Sequence, residues 1–291
     1  MNNNMKIRHA RHPRWLKVPL PAGKNFQDVR RLIEQYQLNT VCQSAHCPNI
    51  GDCWGKRTAT FMILGDVCTR NCRFCAVQPG VPGIIDAGEP MRVAEAVTAL
   101  SLRYVVITSV TRDDLPDGGA SIFAATIREI KKAAPSCHVE VLIPDFQGSA
   151  PALSTVIAAK PDVLNHNIET VPSLYPLVRP QADYRHSLSL LAMAKQQGMI
   201  TKTGLMLGIG ETVEEVIAVM QELRDVNCDL LTLGQYLQPS SKHLLIDRYV
   251  TQEEFKRLKQ VGMNLGFLHV ESGPLVRSSY HAASGYDAIA G

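Results

Sequence analysis

After Thr58 the chain alternates short apolar runs with longer amphipathic stretches, a pattern that few folds can accommodate. Strand-length runs separated by helical periodicity predict a parallel sheet covered by helices. The predicted strands are ATFMILG from Ala59, YVVITS from Tyr104, HVEVLIP from His138, DVLNHN from Asp162, TKTGLMLG from Thr201 and DLLTLGQY from Asp229. The predicted helices include those that begin near Glu89, Gly118, Asp183 and Glu211.

Six strand-helix units are fewer than the eight of a closed barrel, so we expect an α/β fold, a partial (β/α)6 TIM-like barrel with N- and C-terminal extensions. A doubly wound open sheet fits the same pattern. Both architectures place their chemistry at the carboxyl ends of the strands, which here are rich in Cys, Asp, Glu, Asn, Gln and Gly. The expected parts are an N-terminal extension at 1–57, the barrel at 58–265 and a C-terminal extension at 266–291.

The overall charge does not indicate a nucleic-acid partner. The 291 residues carry 30 Lys and Arg against 27 Asp and Glu, a net charge of +3. This balance lacks the strongly basic field of nucleic-acid-binding proteins. The sequence also shows neither a secretory signal nor an apolar run long enough to span a bilayer, so we expect a cytoplasmic protein without a membrane partner.

Eight cysteines are present, and six of them lie between Cys42 and Cys75. The cytosol keeps thiols reduced, so such a concentration indicates metal ligation rather than disulfide formation. The carboxyl end of the first predicted strand leads into CTRNCRFC, in which Cys68, Cys72 and Cys75 have three and then two residues between them. Three thiolates on one loop can hold three irons of a cubane cluster and leave the fourth iron open. A zinc knuckle is the alternative, but zinc sites usually have four ligands in paired spacings.

A second triplet lies upstream in CQSAHCPNIGDC. Cys42, Cys47 and Cys53 have four and then five residues between them, which predicts a second cluster. A structural zinc site or three unrelated thiols are the alternatives. His46 is either a further ligand or a residue that orients its neighbours through a hydrogen bond.

The CTRNCRFC motif, with Phe74 before its third cysteine, is the signature of the radical S-adenosylmethionine (SAM) superfamily. This resemblance implies that SAM chelates the open iron of a 4Fe-4S cluster and is cleaved by one electron to a 5′-deoxyadenosyl radical. Nearly the whole chain resembles the lipoyl synthase family. The motifs that carry this resemblance are CQSAHCPNIGDC, FMILGDVCTRNCRFCAV, TSVTRDDLPDGG, LNHNIETV, QYLQPS and VRSSYHA. Thr111 departs from the family pattern, in which many members have an acidic residue.

The resemblance implies a sulfurtransferase that inserts two sulfur atoms, at C6 and C8, into an octanoyl chain on a lysine of a lipoyl carrier domain. It implies that an auxiliary 4Fe-4S cluster, bound by Cys42, Cys47, Cys53 and Ser279, supplies the sulfur and is consumed. Two SAM molecules are then used per product. The implied partners are the glycine cleavage H protein, the acyltransferase domains of 2-oxoacid dehydrogenases, flavodoxin or ferredoxin as electron donor, and an iron-sulfur carrier that rebuilds the cluster.

Polar residues at the predicted strand ends are candidates for contacts with SAM. We expect such contacts from Asn167, Glu169 and Arg179, and from Phe74 beside the cluster. Polar loop residues also serve as helix caps and strand-end hydrogen-bond partners. Two other functions are compatible with cysteine motifs of this kind, a different radical sulfur-inserting enzyme and a non-catalytic iron-sulfur or zinc sensor. The terminal RSSY together with the upstream cysteine spacing argues against the first, and the absence of a basic stripe argues against the second.

Overall fold

The structure, a computed structural model, describes residues 13–18 and 21–290. Parts of the predicted N-terminal extension, residues 1–12, 19 and 20, lie outside the described residues. The strands are β1 (Asn39–Thr40), β2 (Thr60–Ile63), β3 (Val67–Cys68), β4 (Gln78–Pro79), β5 (Tyr104–Ser109), β6 (His138–Leu142), β7 (Val163–Asn165), β8 (Ile200–Leu207), β9 (Leu230–Gln235) and β10 (His269–Gly273). The α-helices are α1 (Lys24–Gln35), α2 (Val41–Ser44), α3 (Ile50–Gly55), α4 (Glu89–Ala99), α5 (Ala120–Ala133), α6 (Ala150–Ala158), α7 (Tyr175–Val178), α8 (Tyr184–Gln196), α9 (Val213–Asp225), α10 (Gln252–Leu265) and α11 (Ala282–Ala290).

The main sheet has the strand order β1-β2-β5-β6-β7-β8-β9-β10. All neighbouring strands are parallel except β1, which pairs antiparallel with β2. Among the described residues no ladder joins β1 to β10, so the curved sheet keeps an open seam. The expected α/β fold, a partial TIM-like barrel, is confirmed.

Each of the six predicted strands and four predicted helices is present. The structure adds a seventh parallel strand, β10, which pairs with β9 from His269↔Leu230 to Gly273↔Gly234. The sequence pattern did not indicate this strand because HVESG has a single buried residue, Val270, and is polar beyond it. The sheet therefore continues into the segment that we expected to be an extension.

Apolar packing fixes the helices on the outside of the sheet. All four residues of β2 and all six residues of β9 are buried, as expected for parallel strands covered on both faces. The start of α9 is fixed by a capping box, in which the side chains of Thr212 and Glu215 each accept a hydrogen bond from the other residue's main-chain N–H group.

No helix within the described ranges is long and apolar enough to cross a bilayer.

A buried ion pair lies inside the barrel. Lys202 Nζ on β8 lies 2.9 Å from Glu140 Oε1 on β6, and both side chains are at most 5% exposed. The Glu140 carboxylate also accepts hydrogen bonds from Tyr104 Oη at 2.7 Å and from Asn165 Nδ2 at 2.9 Å. Because a buried charge is costly unless it is paired and hydrogen-bonded, these contacts fix the mutual register of four strands.

Candidate active site

A cavity of about 700 Å³ occupies the interior of the barrel. Alternate residues of β5, namely Tyr104, Val106 and Thr108, line it, so this face of the strand points inward along its whole length. Every predicted site residue also lines this cavity: Cys42, Cys47, Cys53, Cys68, Cys72, Phe74, Cys75, Asn167, Glu169, Arg179 and Ser279. The structure thus brings together two thiol triplets that are separate in the sequence.

The downstream triplet lies at the carboxyl end of β2. Cys68 Sγ accepts hydrogen bonds from the main-chain N–H groups of Arg70 at 3.4 Å and Thr111 at 3.3 Å. Hydrogen bonds to sulfur of this kind tune iron-sulfur clusters. The contact at position 111 uses only main-chain atoms, so the departure from the family pattern at Thr111 leaves it in place.

Arg70 clamps the same loop to two neighbouring strand ends. Its Nε and Nη2 atoms donate to Asp113 at 2.6 and 2.9 Å, and its Nη1 and Nη2 atoms donate to Asp145 at 2.6 and 2.7 Å. Burial opposes ionisation of Asp145, but hydrogen bonds and charge from Arg70 lower the pKa of this carboxyl to about 2. The planar guanidinium is suited to such double pairing. The cysteine loop is therefore held in position by a buried charge network that the sequence analysis did not single out.

His243 supports the last cysteine of this triplet from the long connection after β9. Its Nε2 atom lies 2.9 Å from the carbonyl oxygen of Cys75, an acceptor, so this nitrogen carries a proton. The main-chain N–H of Leu244 donates to the carbonyl of Arg73 at 3.1 Å. Sequence reasoning missed His243, because nothing in the sequence indicates that the connection folds back over the cysteine loop.

Asn167, Glu169 and Arg179 form a polar group near Cys72. Asn167 Nδ2 donates to Glu169 Oε1 at 3.1 Å, and Arg179 Nη1 donates to the Asn167 carbonyl at 3.0 Å. Burial raises the pKa of Glu169, and the charge of Arg179 opposes this rise. Asn167 Oδ1 and Arg179 Nε are buried without hydrogen-bond partners. Buried polar atoms are normally paired, so each of these two atoms is free to contact a polar ligand.

Backbone geometry also marks this corner of the site. Glu169 has a φ of +68°, which is unusual for a residue with a side chain. Its N–H donates to the Gly204 carbonyl at 2.9 Å, and its own carbonyl accepts from Met206 N at 2.8 Å. Strained residues held by such contacts concentrate at ligand sites. A Cβ on Gly204 would crowd Asn167 Oδ1 at 3.0 Å, so the absence of a side chain there makes room for the amide.

The upstream triplet lies at the opposite end of the barrel. The N–H of Thr58 donates to the Cys53 carbonyl at 2.8 Å, which places Cys53 beside the start of β2, whereas Cys68 follows the end of β2. Burial raises the pKa of Cys42 to about 11 and that of Cys53 to about 12. In the protein without metal these thiols therefore stay protonated, and binding of iron displaces their protons.

The C-terminal segment closes over the upstream triplet. Asn49 Nδ2 donates to the Leu275 carbonyl at 2.6 Å, and Tyr280 Oη lies 3.4 Å from Asp52 Oδ2. Ser279 lines the cavity together with its neighbour Ser278. These contacts bring a hydroxyl to the wall that carries three thiols. Sequence reasoning missed Asn49, although its position inside the cysteine motif was a usable signal.

The donor sets fit iron-sulfur clusters. Each triplet offers three thiols to the same cavity, and hydrogen bonds to Cys68 Sγ are already in place. Within the described part of the chain, no three His, Cys, Asp or Glu side chains surround a single point as ligands of one metal ion do. Thiolates of a cubane cluster bind different irons, so they need not converge in that way.

Solved structures share this fold. Methylornithine synthase superimposes with a TM-score of 0.56 at 13% identity, covering 82% of this chain and 73% of that protein. HydG, a maturase of the FeFe-hydrogenase, superimposes with a TM-score of 0.57 at 16% identity, covering 71% of this chain and 48% of that protein. At these identities the likeness concerns the fold alone.

Sequence comparison identifies the family. The profile of the radical SAM superfamily matches residues 62–223, and that of the N-terminal domain of lipoyl synthase matches residues 2–47. Lipoyl synthase of Caldanaerobacter subterraneus subsp. tengcongensis is 59% identical, covering 95% of this chain and 97% of the relative. Lipoyl synthase of Rubrobacter xylanophilus is 57% identical, covering 94% and 86%. The chain therefore belongs to the lipoyl synthase family of the radical SAM superfamily.

Proposed function

We propose that this protein inserts sulfur at C6 and C8 of an octanoyl chain carried on a lysine of a lipoyl carrier domain. The observation that carries the proposal is the lining of one cavity by both thiol triplets and Ser279. C6 and C8 lie far from the carbonyl, so no side-chain base can remove their hydrogens through an enolate. A cofactor must supply the oxidant for such carbons.

Membership of the radical SAM superfamily implies a 4Fe-4S cluster and SAM. We assign this cluster to Cys68, Cys72 and Cys75; with SAM bound, it supplies a carbon radical that abstracts unactivated hydrogens. Phe74 provides an apolar wall beside it.

The polar group near Cys72 is assigned to SAM. The carboxylate of Glu169 and the free oxygen of Asn167 are acceptors for its amino and hydroxyl groups, and the Arg179 guanidinium is a donor for its carboxylate. These side chains orient the cofactor, and their burial keeps water from the reacting atoms.

We assign the upstream triplet and Ser279 to an auxiliary 4Fe-4S cluster that serves as the sulfur substrate. Iron binds a serine oxygen less favourably than a thiolate, so this ligand is suited to release when sulfide leaves. Each new C–S bond would form when the carbon radical left by one hydrogen abstraction bonds to a sulfide of this cluster and one cluster iron takes up the remaining electron. Each abstraction needs one SAM and one external electron. A product with two sulfurs therefore consumes two SAM molecules and yields two methionines and two 5′-deoxyadenosines.

In this proposal each of the three expected parts of the chain contributes a different component of the site. The extension at 1–57 supplies three cluster ligands, the barrel at 58–265 supplies the radical chemistry, and the extension at 266–291 supplies the serine.

Octanoylated carriers, such as the glycine cleavage H protein and the 2-oxoacid dehydrogenase acyltransferase domains, are the expected substrates. Flavodoxin or ferredoxin would provide electrons, and an iron-sulfur carrier would rebuild the cluster. Eight free thiols favour a reducing compartment, the cytoplasm.

The test is an anaerobic incubation of the iron-loaded protein with an octanoyl-lysine peptide, SAM and dithionite. We expect about eight irons per chain, 5′-deoxyadenosine, and a peptide that has gained two sulfur atoms, all measured by metal analysis and mass spectrometry. Cys53→Ala should leave about four irons and retain cleavage of SAM without sulfur insertion. Cys137→Ala is the matched control, because Cys137 is a buried free cysteine outside the cavity wall. A wild-type protein that cleaves SAM but never adds sulfur would overturn the proposal.

A further inference from the structure

Arg277 is a cation inside the barrel without an acidic partner. Three other arginines show the usual arrangement: Arg70 pairs with Asp113 and Asp145, Arg112 with Asp114, and Arg248 with Glu254. Within the described residues no carboxylate lies within ion-pair distance of Arg277. Its Nη1 atom donates 2.7 Å to the carbonyl of Val276, which is its own chain neighbour.

The position of this side chain is fixed by the sheet. Arg277 lines the cavity, and a Cβ built on Gly234 of β9 would lie 3.4 Å from its Nη1 atom. The same Cβ would overlap the Val276 carbonyl, so glycine at this position allows the C-terminal segment to enter the barrel. The guanidinium therefore lies against β9, on the wall of the cavity.

Arg277 lines the same cavity as the three thiols of the upstream triplet and lies two residues before Ser279. A guanidinium does not lose its proton in proteins, so its charge calls for an anion on this wall of the cavity. A 4Fe-4S core bound by three thiolates and one serine oxygen carries a net negative charge and would meet that need.

We propose that Arg277 is a positioning residue that compensates the negative charge of the auxiliary cluster at the Cys42, Cys47, Cys53 and Ser279 site. This inference rests on the proposed function. It adds an electrostatic role to the terminal segment, beside its proposed ligand Ser279 and its contacts with Asn49 and Asp52. Replacement of Arg277 by a neutral residue disfavours assembly of the anionic auxiliary cluster. It also disfavours addition of an electron to this cluster, so the reduction potential of the cluster falls.

The test uses the full chain carrying Cys68→Ala, Cys72→Ala and Cys75→Ala, which leaves only the upstream triplet. In this background Arg277→Lys keeps the charge and Arg277→Met removes it at similar length. Iron per chain and the midpoint potential from an anaerobic redox titration are the readouts, and circular dichroism checks folding. We expect the Lys variant to match the parent, and the Met variant to hold less iron or to be reduced at a lower potential.

Three outcomes would contradict the inference or its basis. A folded Met variant with the parent's iron content and potential shows that the charge has no role. Equal loss of iron in folded Lys and Met variants shows that the shape of the guanidinium matters rather than its charge. A parent that binds no iron removes the second cluster itself, and the proposed function fails with it. Arg277→Gln, a second neutral variant, replaces the Met variant if that does not fold.

Discussion

The side-chain amide of Asn49 donates a hydrogen bond of 2.6 Å to the main-chain carbonyl of Leu275, 226 positions further along the chain. This contact joins the segment that carries Cys47 and Cys53 to the segment that carries Ser279. The segments around Asn49 and Leu275 thus meet next to the upstream triplet.

Asn49→Ala removes this link and leaves the Leu275 carbonyl without its partner. The bond is partly buried, and a hydrogen bond of this kind contributes about 0.5–1.5 kcal/mol, so we expect the unfolding free energy to fall by that amount and the iron held by the upstream triplet to decrease. Urea unfolding and metal analysis measure both. Asn25→Ala is the control, because the exposed Asn25 makes a comparable 2.8 Å bond to the Gly55 carbonyl. Equal loss of iron in both variants would contradict the assigned role.

Arg70→Lys keeps the charge of the clamp, but an ammonium group with three donors cannot replace the four hydrogen bonds that Arg70 makes to two carboxylates. Asp145 is 3% exposed, so a carboxylate left without its partner should lower the unfolding free energy by about 3 kcal/mol. We also expect less iron on the downstream triplet and slower cleavage of SAM, measured as 5′-deoxyadenosine formed per chain. Arg73→Lys, at an exposed arginine of the same loop, should change neither quantity. An Arg70 variant with wild-type cleavage would show that the clamp is not needed.

Gly234→Ala tests the entry of the C-terminal segment into the barrel. A Cβ at this position would overlap the Val276 carbonyl, so the segment must shift and carry Ser279 with it. We expect the auxiliary iron to be lost while SAM is still cleaved, because the three atoms nearest to this Cβ belong to Val276 and Arg277 and none belongs to the downstream triplet. Gly83→Ala adds the same methyl group where no atom lies within 4 Å. Retention of about eight irons by Gly234→Ala would refute this account.

His166 should make stability depend on pH. Burial, together with the charge of Arg179, lowers the pKa of His166 from 6.5 to about 4. Between these values the unfolded chain binds a proton that the folded chain does not, so stability falls as the pH falls. The expected loss from pH 7 to pH 5 is roughly 2 kcal/mol. His166→Gln should remove this part of the dependence in urea unfolding, whereas His186→Gln, at an exposed position, should retain it.

The sequence predicted those parts of the molecule that depend on local patterns. The six strands are apolar runs of strand length, and the thiol triplets are short motifs, so neither needs knowledge of distant contacts. β10 escaped prediction because its burial comes from pairing with β9, and HVESG alone shows no alternation. The position of Ser279 was available only from the family resemblance, because a loop serine has no chemical signature of its own.

The contacts that hold the site together were beyond sequence reasoning. Arg70 meets Asp113 and Asp145, which lie 43 and 75 positions away, and three strand ends must be in place before they meet. His243 contacts Cys75 across 168 positions through a connection without regular structure. The topology of the fold brings these distant residues together, and no periodicity in the sequence indicates which of them will meet.

The unpaired seam between β1 and β10 gives the sheet two free edges. The interior diameter of a closed barrel is set by the number of its strands and by their stagger. In this protein the distance between the free edges of β1 and β10 depends instead on contacts between the neighbouring segments. These contacts include Asn49 with Leu275 and Asp52 with Tyr280. Changes confined to these bridging segments can therefore alter the spacing of the two edges, while the strands between them keep their pairing.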